Sequence, residues 1–171
     1  VAFDAATFEI WGALLNGGQV GIVAQPHPSL EDIGAAIARY GATTAWFTAA
    51  LFHLLVDHRL DALRPLRRIV AGGDVLSPPH VARAMAALPG CRFVNGYGPT
   101  ENTTFTCCYV VPREGWGDGA LPIGPPIAHG EVHLLGPDLE PVPDGEVGQL
   151  CSAGAGLALG YLNRPELTAE E

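Results

Sequence analysis

The chain has 171 residues, enough for one domain with a hydrophobic core. Apolar residues make up 48% and charged residues 16%, which excludes a disordered chain. The formal net charge is −9 and no Lys/Arg cluster stands out, so neither nucleic acid nor an anionic membrane surface is an expected partner.

Along the chain, helix and strand signals alternate. Asp4 is a candidate cap for a helix carrying Phe8, Trp11 and Leu15 and closed by Gly17 and Gly18. Residues 19–24 read as a short buried strand. Ser29 and Asp32 form a capping-box pattern with Asp in place of the usual Glu, opening a helix with Ile33 and Ile37 on one face that ends at Gly41. A strand is expected over 43–47, a helix over 49–57 and a strand over 67–71 that runs into Gly72 and Gly73. Ser77 caps the next helix with Pro78 at its first position, and 91–95 is again a strand. This order predicts a parallel sheet with covering helices.

Near Cys107 the pattern changes. Strands are expected over 105–111, 131–135 and 147–152, separated by turn signals at Pro137-Asp138 and Pro143-Asp144-Gly145. The expected fold class is therefore α/β: a parallel sheet flanked by helices over 1–106, then an antiparallel β-rich portion over 107–171. Val1 stands just before a helix cap with no strand to feed it, and 168–171 read as the start of another helix. Both ends are expected to lie inside a larger domain.

Cys91, Cys107, Cys108 and Cys151 lack Cys-x-x-Cys spacing and read as reduced thiols rather than a zinc site or a disulfide framework. No basic segment followed by an apolar run opens the chain. The longest apolar stretch, 42–56, is broken by Thr43, Thr44, Thr48 and His53 and falls short of the roughly 20 residues of a membrane span. A cytoplasmic location is expected. His53 and His58 are five apart, and His129 and His133 flank a strand without a third ligand, so none is expected to bind metal.

The most informative string is Asn95-Gly96-Tyr97-Gly98-Pro99-Thr100-Glu101-Asn102-Thr103-Thr104. It follows a predicted strand, so it lies at the carboxyl edge of a parallel sheet, where open α/β folds bind ligands. The glycines let the backbone approach a ligand. Tyr97 offers a flat face to a base, and Asn95 offers a donor and an acceptor to a ring edge. Glu101 is a hard oxygen donor suited to magnesium beside phosphates.

Two further strings flank it: Phe3-Asp4-Ala5-Ala6-Thr7-Phe8-Glu9-Ile10-Trp11, and Gly145-Glu146-Val147-Gly148-Gln149-Leu150 running on to Gly154-x-Gly156-Leu157-Ala158-Leu159-Gly160-Tyr161-Leu162. Together the three resemble the adenylation domains of nonribosomal peptide synthetases, within the superfamily that holds acyl-CoA synthetases and firefly luciferase. The resemblance covers essentially the whole chain. It implies a distorted barrel for the β-rich portion and a two-step reaction. An amino-acid carboxylate attacks the α-phosphorus of ATP, and the acyl group then passes to the phosphopantetheine thiol of a carrier protein. The implied cofactors are ATP and Mg²⁺, and the implied partners are carrier and condensation domains. Glu101 would hold magnesium, Thr100 would face the phosphates, Tyr97 would stack on adenine and Asn95 would bond its edge. Gly72 and Gly73 would lie near substrate and nucleotide.

The sequence departs from the family in several places. No Ser/Thr/Gly-rich phosphate loop with a Lys, no Tyr-x-Thr-Gly-Asp segment and no small C-terminal domain with its Lys lie within these residues. A fragment of this extent is expected to be inactive alone. Leu159 stands where the family usually has Arg.

For the substrate, the resemblance implies a pocket of Asp4, Ala5, Phe8, Trp46, Val70, Gly72, Gly96, Thr104 and Phe105. Asp4 would meet the amino-acid ammonium, since a desolvated carboxylate pairs well with a cation. The competing reading makes Asp4 a helix cap only. Trp46 and the phenylalanines limit depth, and no second charge lines the set. Valine or a similar small aliphatic fits best, and because one methylene is worth only about 1–3 kcal/mol, isoleucine or 2-aminobutyrate could leak in. Two other readings stay open: an acyl- or aryl-CoA synthetase fragment, which would not need an acid at Asp4, and a non-catalytic nucleotide- or carrier-binding fragment.

Overall fold

A computed structural model describes residues 3–115 and 119–170; Val1 and Glu171, at the two chain ends, lie outside them. The first helix, α1, spans Ala5–Leu14. Helix α2 (Leu30–Tyr40) has the expected box: Asp32 N–H donates to Ser29 Oγ (3.1 Å) and Ser29 N–H to Asp32 Oδ2 (2.9 Å). It stops where Gly41 turns left-handed (φ 58°) and the Gly41 and Ala42 amides fold back onto Ala38 and Ile37.

Strand β1 (Thr44–Thr48), helix α3 (Ala49–His58), strand β2 (Arg68–Gly72), helix α4 (Pro78–Ala87) and strand β3 (Arg92–Tyr97) follow. The three strands are parallel, with Trp46 opposite Val70 and Gly72 opposite Gly96. Strand β4 (Cys107–Val110) joins β3 antiparallel, giving the sheet order β1-β2-β3-β4. The change of pattern near Cys107 predicts the start of the β-rich portion, yet β4 completes the first sheet. The antiparallel portion begins with β5 (Gly130–Leu135) paired to β6 (Gln149–Gly154), and α5 (Pro165–Glu170) closes the chain.

Alternate strand residues face opposite sides. On one side Phe47, Ile69, Ala71 and Phe93 join Ile37, Phe52, Leu55, Val56, Val81, Ala84 and Met85 from α2, α3 and α4 in one buried core. Each large side chain so buried contributes about 1.5–3 kcal/mol. The other side carries Trp46, Val70, Gly72 and Gly96.

Further expectations fail. Residues 19–24 form no strand, and Ile22 is exposed. An apolar run becomes a strand only with a ladder partner, and here Tyr40 Oη donates to the Ile22 carbonyl (3.1 Å) instead. Ser77 occupies the N-cap position of α4, but its side chain makes no cap bond, because its hydroxyl lies against His80 Nδ1 at 2.7 Å. No helix among the described residues is long and apolar enough to cross a membrane, and none of their His, Cys, Asp and Glu side chains gather in threes to hold a metal.

His53 joins α3 to α4. Its Nε2 accepts the Ser77 N–H (3.0 Å), and its ring lies 4.4 Å from that of His80. Burial, then the neighbouring His80, hold His53 below the usual histidine range, against the pull of Asp57 and Asp74. The folded state thus favours neutral His53, whose free Nε2 lone pair accepts the amide. Its stabilising contribution is complete above the unfolded value, about pH 6.5, and is lost as pH falls through it towards the lower folded value. The domain containing this chain should melt at progressively lower temperature between about pH 7 and pH 5, with His53→Gln giving a flatter profile. Equal slopes for the two proteins would remove His53 as the cause.

Candidate functional site

The carboxyl ends of β1, β2 and β3 are Thr48, Gly72 and Tyr97, and the candidate site residues cluster around them. Gly72 and Gly96 face each other so closely that a Cβ on Gly72 would overlap the Gly96 carbonyl oxygen. A Cβ on Gly96 would meet Phe105 Cε1 at 2.6 Å and Val70 Cγ1 at 3.2 Å. The Phe105 ring in turn lies edge-on to Phe8 of α1, with centroids 5.5 Å apart. Trp46 packs against Phe3 at 5.4 Å. Four separate segments therefore supply one apolar wall around two glycines.

Asp4 belongs to the same group. Its backbone is helical (φ −66°, ψ −25°) and its side chain makes no cap bond. The first-turn amides are met by backbone instead: Ala6 N–H donates to Phe3 O and Thr7 N–H to Asp4 O. The carboxylate is thus not spent on the helix. Ala5, beside it, is fully buried. Thr104 Oγ1 donates to the Asp4 carbonyl (2.9 Å), tying the start of α1 to the loop after β3 across 100 residues.

That loop is tightly turned. Thr106 N–H returns to the Tyr97 carbonyl (2.8 Å), and Thr100–Asn102 form a 3-10 turn. Thr103 and Thr104 are both left-handed (φ 49° and 74°), a region that β-branched residues rarely enter. Asn102 Nδ2 donating to Thr106 Oγ1 (2.8 Å) helps hold the turn. Tyr97 is 40% exposed, so its ring is accessible for stacking, and Thr100 is exposed. Asn95 is buried and its amide donates to the Pro122 carbonyl (2.9 Å), an engagement with the segment after β4 that the motif did not indicate. Gly73 adopts φ 75° just past β2.

Glu101 is half-buried. Tyr161 Oη donates to its Oε1 at 2.5 Å, and this bond holds the carboxyl below the usual carboxylate range. The Ala158 N–H donates to the Glu101 carbonyl (2.7 Å), and Thr103 Oγ1 to the Gly156 carbonyl (2.6 Å). Residues 156–161 therefore lie across the Glu101 turn. Sequence reasoning identified Tyr161 only as part of a string, because nothing in local spacing signals a contact 60 positions away.

A cavity of about 670 Å³ opens elsewhere, between α1, residues 18–23, α2 and β1. Phe8 and Trp46 line it, but Gly72, Gly96 and Glu101 do not, so it adjoins the candidate site without containing it.

A parallel sheet with a glycine-paired carboxyl edge thus carries a Tyr-Gly-Pro-Thr-Glu turn and meets the first helix through Phe105 and Phe8. The chain belongs to the AMP-binding enzyme family, whose pattern matches residues 1–162. It is 42% identical over 172 residues to tyrocidine synthase 3 of Brevibacillus parabrevis and 42% identical over 174 residues to malpibaldin synthetase of Mortierella alpina. These matches cover 100% and 99% of this chain, but it spans only 3% of either relative. Among solved structures, it matches PA1221, a nonribosomal peptide synthetase protein containing adenylation and carrier (PCP) domains. The TM-score is 0.91 at 46% identity, over 98% of this chain and 34% of that one. The N-terminal subdomain of Klebsiella oxytoca NpsA matches at TM-score 0.90 and 32% identity, over 100% of this chain and 42% of that one. The mixed parallel and antiparallel architecture is thus that of part of an adenylation domain.

Proposed function

We propose that this chain is the substrate-selecting core of an amino-acid adenylation domain, with the four-stranded sheet and the β5–β6 pair as two parts of one larger unit. The parent domain joins an amino acid to AMP. A carboxylate oxygen of the substrate attacks the α-phosphorus of ATP, the bond to the β-phosphate oxygen breaks, and pyrophosphate leaves. The adenylate then passes its acyl group to the phosphopantetheine thiol of a carrier domain, releasing AMP. Condensation domains are the expected neighbours in such an assembly, and the cytoplasm is the expected site.

One observation carries this reading: the Asp4 carboxylate is not used as a helix cap, and the Asp4 carbonyl is bonded to Thr104, next to Phe105, whose ring meets Phe8. A carboxylate beside a small apolar pocket suits an ammonium group followed by a short aliphatic side chain. Ala5, Thr104, Gly72 and Gly96 complete the pocket. The close pairing of the glycines supports a substrate α-carbon lying against bare backbone. Valine is the favoured amino acid.

Tyr97 is the stacking surface for adenine, with Asn95, Gly72, Gly73 and Gly96 beside it and Thr100 towards the phosphates. The donor set at Glu101 fits a magnesium ion: a hard carboxylate, held ionised by a phenol hydrogen bond rather than by a cation. Magnesium bound there would neutralise phosphate charge. What the chain's own residues contribute is binding and orientation, which dominate phosphate-centred chemistry.

Exchange of labelled pyrophosphate into ATP by the parent domain tests the proposal. Valine is expected to give the highest kcat/KM of the standard amino acids, by about tenfold or more over those differing by one methylene. Preference for an aromatic or charged amino acid would overturn the pocket assignment. Activity with fatty or aryl acids only would make the parent an acyl-CoA-synthetase-like enzyme.

A further inference from the structure

The strand-poor segment after β6 has no role in the pocket, yet it makes three hydrogen bonds to one short turn. Gly156 accepts from Thr103 Oγ1, Ala158 donates to the Glu101 carbonyl, and Tyr161 donates to the Glu101 carboxylate. Gly156 itself lies against Asn102, where a Cβ would come within 3.0 Å of Oδ1 and 3.1 Å of the carbonyl oxygen. The strap is therefore seated on both flanks of Glu101.

We propose that Tyr161 is a positioning residue for Glu101: the strap of residues 156–161 stops the rotation of the Glu101 carboxylate by occupying Oε1, so that the group meets the cation in a fixed orientation. This rests on the reading of Glu101 as the magnesium ligand. A carboxylate on a free side chain must surrender rotamer freedom when it binds a metal, whereas one already pinned surrenders less. The bond adds no ligand to the cation and touches no substrate atom. Its effect is on metal affinity rather than on amino-acid choice.

The test uses the complete parent adenylation domain. Mn²⁺ binding is measured by electron paramagnetic resonance in the presence of α,β-methylene-ATP, which does not react. Tyr161→Phe is expected to weaken Mn²⁺ about two- to tenfold, the range for freeing one flexible side chain. The Mg²⁺ concentration for half-maximal pyrophosphate exchange should rise in parallel, with an unchanged Michaelis constant for the amino acid. Thr103→Val cuts the strap at another bond while keeping Tyr161 and Glu101, and is expected to shift Mn²⁺ affinity in the same direction. Wild-type Mn²⁺ affinity in both variants overturns the proposal.

Glu101→Gln separates the two levels. If it weakens Mn²⁺ binding while Tyr161→Phe and Thr103→Val do not, only the positioning role fails. If Glu101→Gln binds Mn²⁺ as the wild type does, the metal-ligand reading fails, and with it the basis of the positioning role. The double variant should bind no more weakly than Glu101→Gln alone. A further additive loss would mean that Tyr161 acts elsewhere, which also overturns the proposal.

Discussion

Gly72→Ala is expected to destabilise the parent domain by about 3 kcal/mol, the upper end for overpacking a fitted site. The added methyl would overlap the carbonyl oxygen of Gly96, and that oxygen belongs to backbone in the neighbouring central strand. Relief would require β2 and β3 to separate, and β2 is hydrogen-bonded on both sides. Gly96→Ala is a useful contrast. Its methyl would meet the Phe105 ring, a side chain that can swing, so the fold should lose less while the pocket narrows. Chemical denaturation of the two variants checks this. A Gly72→Ala domain as stable as the wild type would contradict the close approach of the two strands.

Asp4→Ala is expected to lower kcat/KM for amino-acid activation about a hundredfold, corresponding to roughly 3 kcal/mol for leaving a charge without its partner. Stability should change by less than about 0.5 kcal/mol, because no side-chain cap bond is lost. A residue that served as a helix cap would behave in the opposite way, losing about 0.5–2 kcal/mol of stability with selectivity intact. Exchange kinetics measured beside thermal melting distinguish the two. An Asp4→Ala domain that melts earlier but activates valine normally would remove the main support for an amino-acid substrate.

Much of the fold was legible because local rules and tertiary packing agree. The Ser29–Asp32 box, Gly41 and the Pro78 start mark helix boundaries that the structure keeps. The alternation of β1, β2 and β3 with α3 and α4 followed from the same signals. Residues 19–24 misled because hydrophobicity marks only the wish to be buried, while a strand also needs a partner ladder. The membership of β4 was hidden for a related reason: pairing is a long-range property that a four-residue strand does not advertise. The loop after β3 lies at the carboxyl edge of the parallel sheet as its position after a strand predicts, and the structure brings Asp4, Phe8, Thr104 and Phe105 together there. The strap was not legible, since its three hydrogen bonds join residues 53, 57 and 60 positions apart. Nor were the left-handed backbones of Thr103 and Thr104, positions where neither glycine nor asparagine signals such a turn.

The bond from Thr104 to the Asp4 carbonyl bears on how such domains can be recombined. Thr104 reaches that carbonyl from an unfavourable backbone conformation, so the helix start and the loop are a matched pair. A transplant that moved α1 between domains without its loop would bring a carbonyl set for one turn to a loop shaped for another. Splice points that keep residues 4–105 on a single donor preserve the match, along with the contact between Phe8 and Phe105. Moving the first splice upstream of Phe3 retains its packing on Trp46 too, which makes the segment opening before Phe3 and closing after Phe105 a natural unit of exchange.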